Sequence, residues 1–180
     1  MPNEKPIISL GSRYLWRSRW YNLRQDRVRL PDGSDGTYTV VEHPGAVWIV
    51  PITTNGQVVL IYQYRYAVDD WCWEVPAGGM LPGVAPEEMA RRELLEEVGG
   101  EAEQLRFVAR FYTMNGIGSE VAQVYLATGV RLGTPQREAM EIMEVRLFPP
   151  KEALEMARRG EINDGPSALA LLLCAEFLLD

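Results

Sequence analysis

The sequence predicts an α+β protein, an α/β/α sandwich in which a mixed β-sheet lies between helices, with a strand-rich segment at its N-terminal end. Three observations predict it. Runs rich in β-branched and aromatic residues fill the first part of the chain and recur after its middle, one strongly patterned helix begins at Pro86 between them, and helical segments close the chain. At 180 residues and 47% apolar content, there is enough material for one proper core. No repeat or low-complexity linker divides it. Residues 1–42 nevertheless differ from residues 43–180, and the two are read as a subdomain and a main domain.

The elements follow in order. Residues 1–42 hold many arginines, the aromatics Tyr14, Trp16 and Trp20, and a turn at Pro31-Asp32-Gly33, so short strands forming a subsidiary sheet are expected. Ala46–Thr53 and Gln57–Arg65 are β-rich runs around Asn55-Gly56, a pair suited to the positive φ angles of a hairpin turn. Pro76 to Val84 contains three glycines and two prolines, too many breakers for a helix, and reads as a structured loop. Pro86 suits a first helical turn, Glu87 and Glu88 suit its positive end, and Gly99-Gly100 stops the helix. Strands are expected over Arg106–Tyr112, Val121–Ala127 and Met143–Phe148. Pro149-Pro150 then opens a helix over Lys151–Arg159, closed by Gly160, and a last apolar helix starts near Ser167.

A net charge of −7 argues against non-specific binding to nucleic acid, whose phosphates attract basic surfaces. A small anionic substrate is compatible with that charge if a metal and a few arginines supply local positive charge. Cys72 and Cys174 lack metal-ligand spacing and read as free, packed thiols of a reducing compartment. The N-terminus shows no apolar signal stretch, and Ala168–Leu179 is too short for a membrane span and is interrupted by Glu176. A soluble, cytoplasmic protein without a membrane partner is expected.

The chemistry concentrates between Gly78 and Gly100. Glu93, Glu96 and Glu97 fall within an arc of about 100° on one helix face, beside the apolar stripe of Ala90, Leu94 and Val98. Like charges so placed cost about 0.2–0.5 kcal/mol per pair. A hard divalent cation turns that cost into binding, because Mg²⁺ prefers carboxylate oxygens supplemented by water and phosphate. Arg92, four residues before Glu96, can orient it through a salt bridge. Taken alone, three glutamates read more simply as a solvated, mixed-charge face.

The surrounding pattern changes that reading. Gly78 followed by Arg92-Glu93-Leu94-Leu95-Glu96-Glu97-Val98-Gly99, at this spacing, resembles the Nudix box, and Glu74-Val75-Pro76-Ala77 resembles the family's approach to it. Gln63-Tyr64-Arg65 is similar to the Gln-x-Arg of the ADP-ribose and nucleotide-sugar pyrophosphatase branch. Asn115-Gly116 through Ser119-Glu120, the strand Val124-Tyr125-Leu126-Ala127, and Gly160-Glu161-Ile162-Asn163-Asp164 also resemble that branch. Two positions depart from the box: Val84 stands where the family has its first Glu, and Gly100 stands at the final apolar position.

The resemblance implies a Nudix fold, a small nucleotide diphosphate substrate, and metal-dependent cleavage of its phosphoanhydride bond into a nucleoside monophosphate and a sugar phosphate. It implies Mg²⁺, with Mn²⁺ as the alternative, held by Glu93 and Glu97, with Glu96 assisting and the Ala77 carbonyl completing the shell. Arg92 would orient these side chains, and Gly78 and Gly79 would let the loop backbone approach the phosphates. In this branch the general base often comes from the loop before the last strand, which makes Glu141 the first candidate, Glu138 the second and Glu120 the third. Arg65 is the candidate phosphate contact. Trp16, Trp20 and Trp71 could stack on a base, although packing is the more economical use, and His43 reads as structural. The branch also implies a homodimer built through the N-terminal segment. Two other readings remain open: a nucleoside triphosphate or capped-nucleotide hydrolase, and, because of Val84, a catalytically weak nucleotide-sensing domain.

Overall fold

The computed structural model describes residues 5–138 and 140–179. It contains two compact units: one formed by the chain up to Gly45 together with Tyr112–Val121, the other by Ala46–Phe111 and the chain from Ala122 onward.

The first unit is an antiparallel sheet in the order β1 (Ile8–Arg17), β2 (Asn22–Arg29) and β3 (Asp35–Glu42). Its strands are ten, eight and eight residues long, longer than the short strands expected. Two register shifts on β1, between Ser9 and Gly11 and between Tyr14 and Trp16, keep it paired along its length. The turn expected at Pro31-Asp32-Gly33 is present: Gly33 has φ +84° and Ser34 donates from its backbone N–H to Asp32 Oδ1 at 2.9 Å. Polar pairs knit the sheet, including Arg24 with Asp26 at 3.0 Å and the Tyr14 hydroxyl donating to Glu42 at 3.0 Å. Tyr112–Val121 joins this unit through its backbone. Val41 N–H donates to the Ile117 carbonyl at 2.8 Å, and Ser119 N–H donates to the Val41 carbonyl at 3.0 Å.

The second unit is an eight-stranded mixed sheet whose central path runs β11 (Met143–Phe148), β5 (Val58–Arg65), β4 (Ala46–Thr53), β10 (Val121–Leu132) and β8 (Gly100–Glu101). β6 (Asp70–Glu74) pairs with β5, β7 (Ala77–Gly79) with β4, and β9 (Gln104–Tyr112) with β10. β4 and β10 run parallel, whereas β5 runs antiparallel to β4, β6 and β11. The hairpin expected between β4 and β5 is present, but only Gly56, with φ +76°, is left-handed and Asn55 is not; Gly56 N–H donates to the Thr53 carbonyl at 2.9 Å, closing the turn ahead of the glycine.

Alternation along the central strands sends their side chains to two cores. Val47, Ile49, Val59, Ile61, Tyr125 and Ala127 meet Met89, Ala90, Leu94 and Val98 of α1 (Pro86–Val98). Ala46, Trp48, Val50, Val58, Leu60, Val124 and Leu126 meet residues of α2 (Pro150–Arg158), α3 (Gly165–Leu173) and α4 (Ala175–Leu179). Each fully buried aliphatic side chain contributes about 1.5–3 kcal/mol, so both helical layers are anchored by the sheet. The mixed sheet between helices is the expected architecture.

Several local expectations are corrected. Pro76–Val84 is not loop throughout, because Ala77, Gly78 and Gly79 pair with Trp48, Val47 and Ala46. β6 had no sequence expectation of its own; it forms because the chain folds back after Arg65, setting Asp70 opposite Arg65 and Glu74 opposite Ile61. The last helix begins at Gly165, capped by the Asp164 side chain, and breaks at Cys174. Cys72 and Cys174 are buried and free. No helix among the described residues is long and apolar enough to cross a membrane.

Candidate active site

Helix α1 and the short strand β7 build the site. Pro86 starts α1, Glu87 and Glu88 lie in its first turn, and Gly99 ends it in the left-handed conformation with φ 66°. The apolar stripe turns one face to the sheet, and that rotation carries Glu97 inward with it. Glu97 is only 4% exposed, and its Oε2 accepts the Ala77 backbone N–H at 2.9 Å. Glu93, one turn earlier, lies against Gly78: a methyl group on Gly78 would sit 2.0 Å from Glu93 Cδ. A methyl on Gly79 would meet nothing within 4 Å. Of the two glycines, Gly78 is therefore the one that the packing demands.

The two carboxylates are electrostatically starved. Burial, with the charges of Glu96 and Glu141 added to it, pushes Glu93 up to about 7. Burial, followed by the charge of Glu93, holds Glu97 well above the ordinary carboxylate range. A group kept so far from its charged form at a polar, backbone-lined spot is suited to a compensating cation. The donor set of carboxylate and carbonyl oxygens fits a hard divalent ion. Glu96 is directed differently, since it accepts from Arg92 Nε at 2.8 Å on a more exposed face. Among the described residues no three carboxylate, imidazole or thiol groups form a ready-made cage. Mg²⁺ does not need one, because it binds through one or two carboxylates with water and substrate phosphate.

Arg65 stands at the end of β5, with its Nε donating at 2.7 Å to the buried carboxylate of Glu74 on β6. One edge of its guanidinium is thus fixed and the rest of its five donors remain available to an anion. Its side chain is 45% exposed. Glu97 feels its positive charge, which places Arg65 within electrostatic reach of that carboxylate.

The loop between β10 and β11 is fastened to the end of α1. Gly133 N–H donates to the Gly99 carbonyl at 2.7 Å and Gln136 N–H to the Glu96 carbonyl at 2.8 Å. Glu141 Oε2 accepts Glu138 N–H at 2.8 Å. Glu141 acts electrostatically on both Glu93 and Glu97, and Glu138 acts on Glu93. The third base candidate, Glu120, belongs to the first unit, where it accepts from the Thr113 hydroxyl at 2.6 Å and lies 2.9 Å from His43 Nδ1. Those contacts, His43 first, hold its carboxyl below the ordinary range. His43 lines a cavity of 410 Å³ with Tyr21, Val41, Met114, Gly118 and Glu120.

Trp16 and Trp20 are 60% and 56% exposed, so neither is a core residue in this chain. Trp71 stacks on Tyr62 with ring centroids 5.2 Å apart. Sequence reasoning gave no role to Glu74, Arg137, Asn163 or Ser167. Asn163 Oδ1 accepts Trp73 N–H at 3.1 Å, and Ser167 Oγ accepts Val75 N–H at 3.1 Å, so the start of α3 holds the strand that leads to Ala77. The signal for these contacts lies in spatial pairing between distant segments. Only Asp164 to Ser167, a capping pattern, was legible locally.

Comparison with known proteins places this geometry. The NUDIX domain model matches residues 42–169, and the nucleoside diphosphate sugar hydrolase N-terminal domain model matches residues 8–41. An ADP-ribose pyrophosphatase of Mycobacterium tuberculosis (strain ATCC 25618 / H37Rv) is 40% identical over 162 residues, covering 88% of this chain and 78% of that protein. An ADP-ribose pyrophosphatase of Bacillus subtilis (strain 168) is 31% identical over 168 residues, covering 91% of this chain and 89% of that protein. A solved structure of an ADP compounds hydrolase shares the fold, with a TM-score of 0.84 at 22% identity over 99% of this chain and 97% of that one. With its box residues gathered on α1 and β7 and the domain model spanning most of its length, this chain belongs to the Nudix family.

Proposed function

We propose that the chain is a Nudix pyrophosphatase that hydrolyses the phosphoanhydride bond of ADP-ribose or a nucleotide sugar, releasing a nucleoside monophosphate and a sugar phosphate. The observation that carries the reading is the Glu93–Glu97 pair, held against the backbone of Ala77 and Gly78. The ADP-ribose pyrophosphatases similar to it support the substrate class.

Glu93 and Glu97, with the Ala77 carbonyl, would hold Mg²⁺ or Mn²⁺, which would supply charge neutralisation and activation of water when bound. Glu96 assists from its pair with Arg92, and Arg92 fixes the orientation of that carboxylate. Arg65, anchored by Glu74, meets a phosphate oxygen with its free donors. Gly78 and Gly79 let the diphosphate approach the β7 backbone. Glu141 accepts the proton of the attacking water. Glu138 ranks behind it because, of the acidic pair, its charge acts on Glu93, whereas that of Glu141 acts on both, and Glu120 ranks last because His43 and Thr113 already occupy its carboxylate.

The exposed apolar residues of β1, including Ile8 at 59% and Trp16 at 60%, support a homodimer formed through the N-terminal sheet, in a cytoplasmic protein. Light scattering on the purified chain tests that assembly.

Val84 favours a second reading in one respect. It packs against the apolar cluster under α1 and brings no carboxylate to the site, which supports a smaller metal complement. A panel of ADP-ribose, other nucleotide sugars and nucleoside triphosphates, with and without Mg²⁺, tests these alternatives. Metal-dependent turnover of a nucleoside diphosphate sugar is expected. Binding without turnover would favour the sensing domain, and preference for triphosphates would reassign the substrate.

A further inference from the structure

We infer that Arg137 is a positioning residue, which holds Glu141 in register with the Glu93–Glu97 pair by pinning the base of its loop. The inference rests on the pyrophosphatase reading and deepens it, because it concerns how the proton acceptor is presented.

The last turn of α1 contains no basic residue of its own. Its terminal carbonyls lack partners within the helix, and that end of the helix attracts positive charge. Arg137 supplies both needs from another segment, donating from Nε to the Glu97 carbonyl at 2.8 Å. The same guanidinium donates from Nη1 to the carbonyl of Met143, the first residue of β11, at 2.9 Å. It therefore ties the helix carrying the acidic pair to the strand that receives the loop. The next backbone N–H, that of Glu138, donates to Glu141 Oε2 at 2.8 Å, and Glu141 N–H returns a bond to the Glu138 carbonyl at 3.0 Å. A continuous path thus runs from the Glu97 carbonyl through Arg137 and the Glu138 amide to the Glu141 carboxylate.

A guanidinium that merely capped a helix would not need its second bond to Met143. With both bonds in place, the guanidinium is held at two points, which limits how far the backbone at residue 137 can move. That constraint keeps the Glu138 amide aimed at Glu141. Gly99 makes the close approach possible: a methyl there would lie 2.6 Å from the Gly133 backbone.

The test is a double-mutant cycle on the full chain with an ADP-ribose substrate, using Arg137→Met, Arg137→Lys, Glu141→Gln and the Arg137→Met/Glu141→Gln double variant. Arg137→Met is expected to lower kcat by about 10- to 100-fold, the usual cost of removing an orienting partner. KM and the half-saturating Mg²⁺ concentration should hold, and Arg137→Lys should recover part of kcat. In the Glu141→Gln background, Arg137→Met should cost nothing further, because its effect passes through the missing carboxylate. Wild-type kcat in Arg137→Met, or an equal loss in both backgrounds, would overturn the inference. So would KM and metal dependence moving as far as kcat.

If Arg137→Met does not fold, Arg137→Lys carries the same cycle. Hydrogen exchange gives a readout independent of turnover: the Glu138 amide should lose protection in Arg137→Met while α1 keeps its own, and unchanged protection would sink the idea. Absence of wild-type turnover on every nucleoside diphosphate derivative would instead count against the functional reading, and the exchange experiment would still decide the role of Arg137.

Discussion

Gly78 and Glu93 compete for one volume: a methyl on the glycine would stand 2.2 Å from Glu93 Oε1. The contact joins strand β7 to helix α1, and a methyl on the glycine would force the carboxylate to shift. A glycine that reads in the sequence as a loop breaker is, in the folded chain, the floor beneath a proposed metal ligand.

Gly78→Ala should therefore displace Glu93 and lower turnover by about 100-fold or more, as misplacement of about an ångström at a reacting centre does. Gly79→Ala meets no atom and should cost far less, with any loss appearing in KM. Parallel kinetics on the two variants check this, and equal losses would remove the packing explanation.

Glu97→Gln should abolish metal-dependent turnover without destabilising the fold. Its amide oxygen can still accept the Ala77 N–H, and the substitution removes a charge that burial disfavours. Thermal denaturation in chelator should give a Tm equal to or above that of the wild type. Full activity in this variant would refute the ligand assignment.

Stability without metal should fall as pH rises. The Glu93 carboxyl has an ordinary value of 4.5 and a folded value of about 7, so the folded state favours its protonated form. The contribution is complete below pH 4.5, is lost progressively as pH rises, and is gone above about 7. A bound divalent cation reverses the preference. Added Mg²⁺ should then raise Tm more at pH 8 than at pH 5.5, which differential scanning in chelator and in Mg²⁺ would measure. An equal rise at both pH values would count against cation binding at Glu93.

Val84→Glu restores the family's carboxylate at a position that now packs on apolar residues. A stability loss of about 1–3 kcal/mol is expected from placing the polar group there. The Mg²⁺ half-saturation should tighten if the missing carboxylate limits the site. A lower Tm with an unchanged metal dependence would show that Val84 serves packing alone.

The β4–β5 hairpin, helix α1 with its glycine stop, and the strands over Val121 and Met143 were legible in the chain because each is written in local chemistry. An Asn-Gly turn, a helical apolar stripe and alternating β-branched residues act over a few residues. The facing of Glu93 and Glu97 was legible for the same reason, since helical periodicity sets it. Strand β6 and the pairing of Ala77 with Trp48 were not legible, because Trp71-Cys72-Trp73 and a glycine pair become strands only when a partner edge is present.

What the linear order of residues settled was the family, the acidic helix face and the glycine that must accompany it. What folding alone settled was how far each carboxylate is buried and what holds it. Glu97 is buried against Ala77, whereas Glu96, one residue away, turns to Arg92. Glu120 is engaged by His43, while Arg137 reaches across 40 residues to the Glu97 carbonyl. Those choices depend on desolvation and on hydrogen bonds between distant segments, which act through space and leave no periodicity in the sequence to be read.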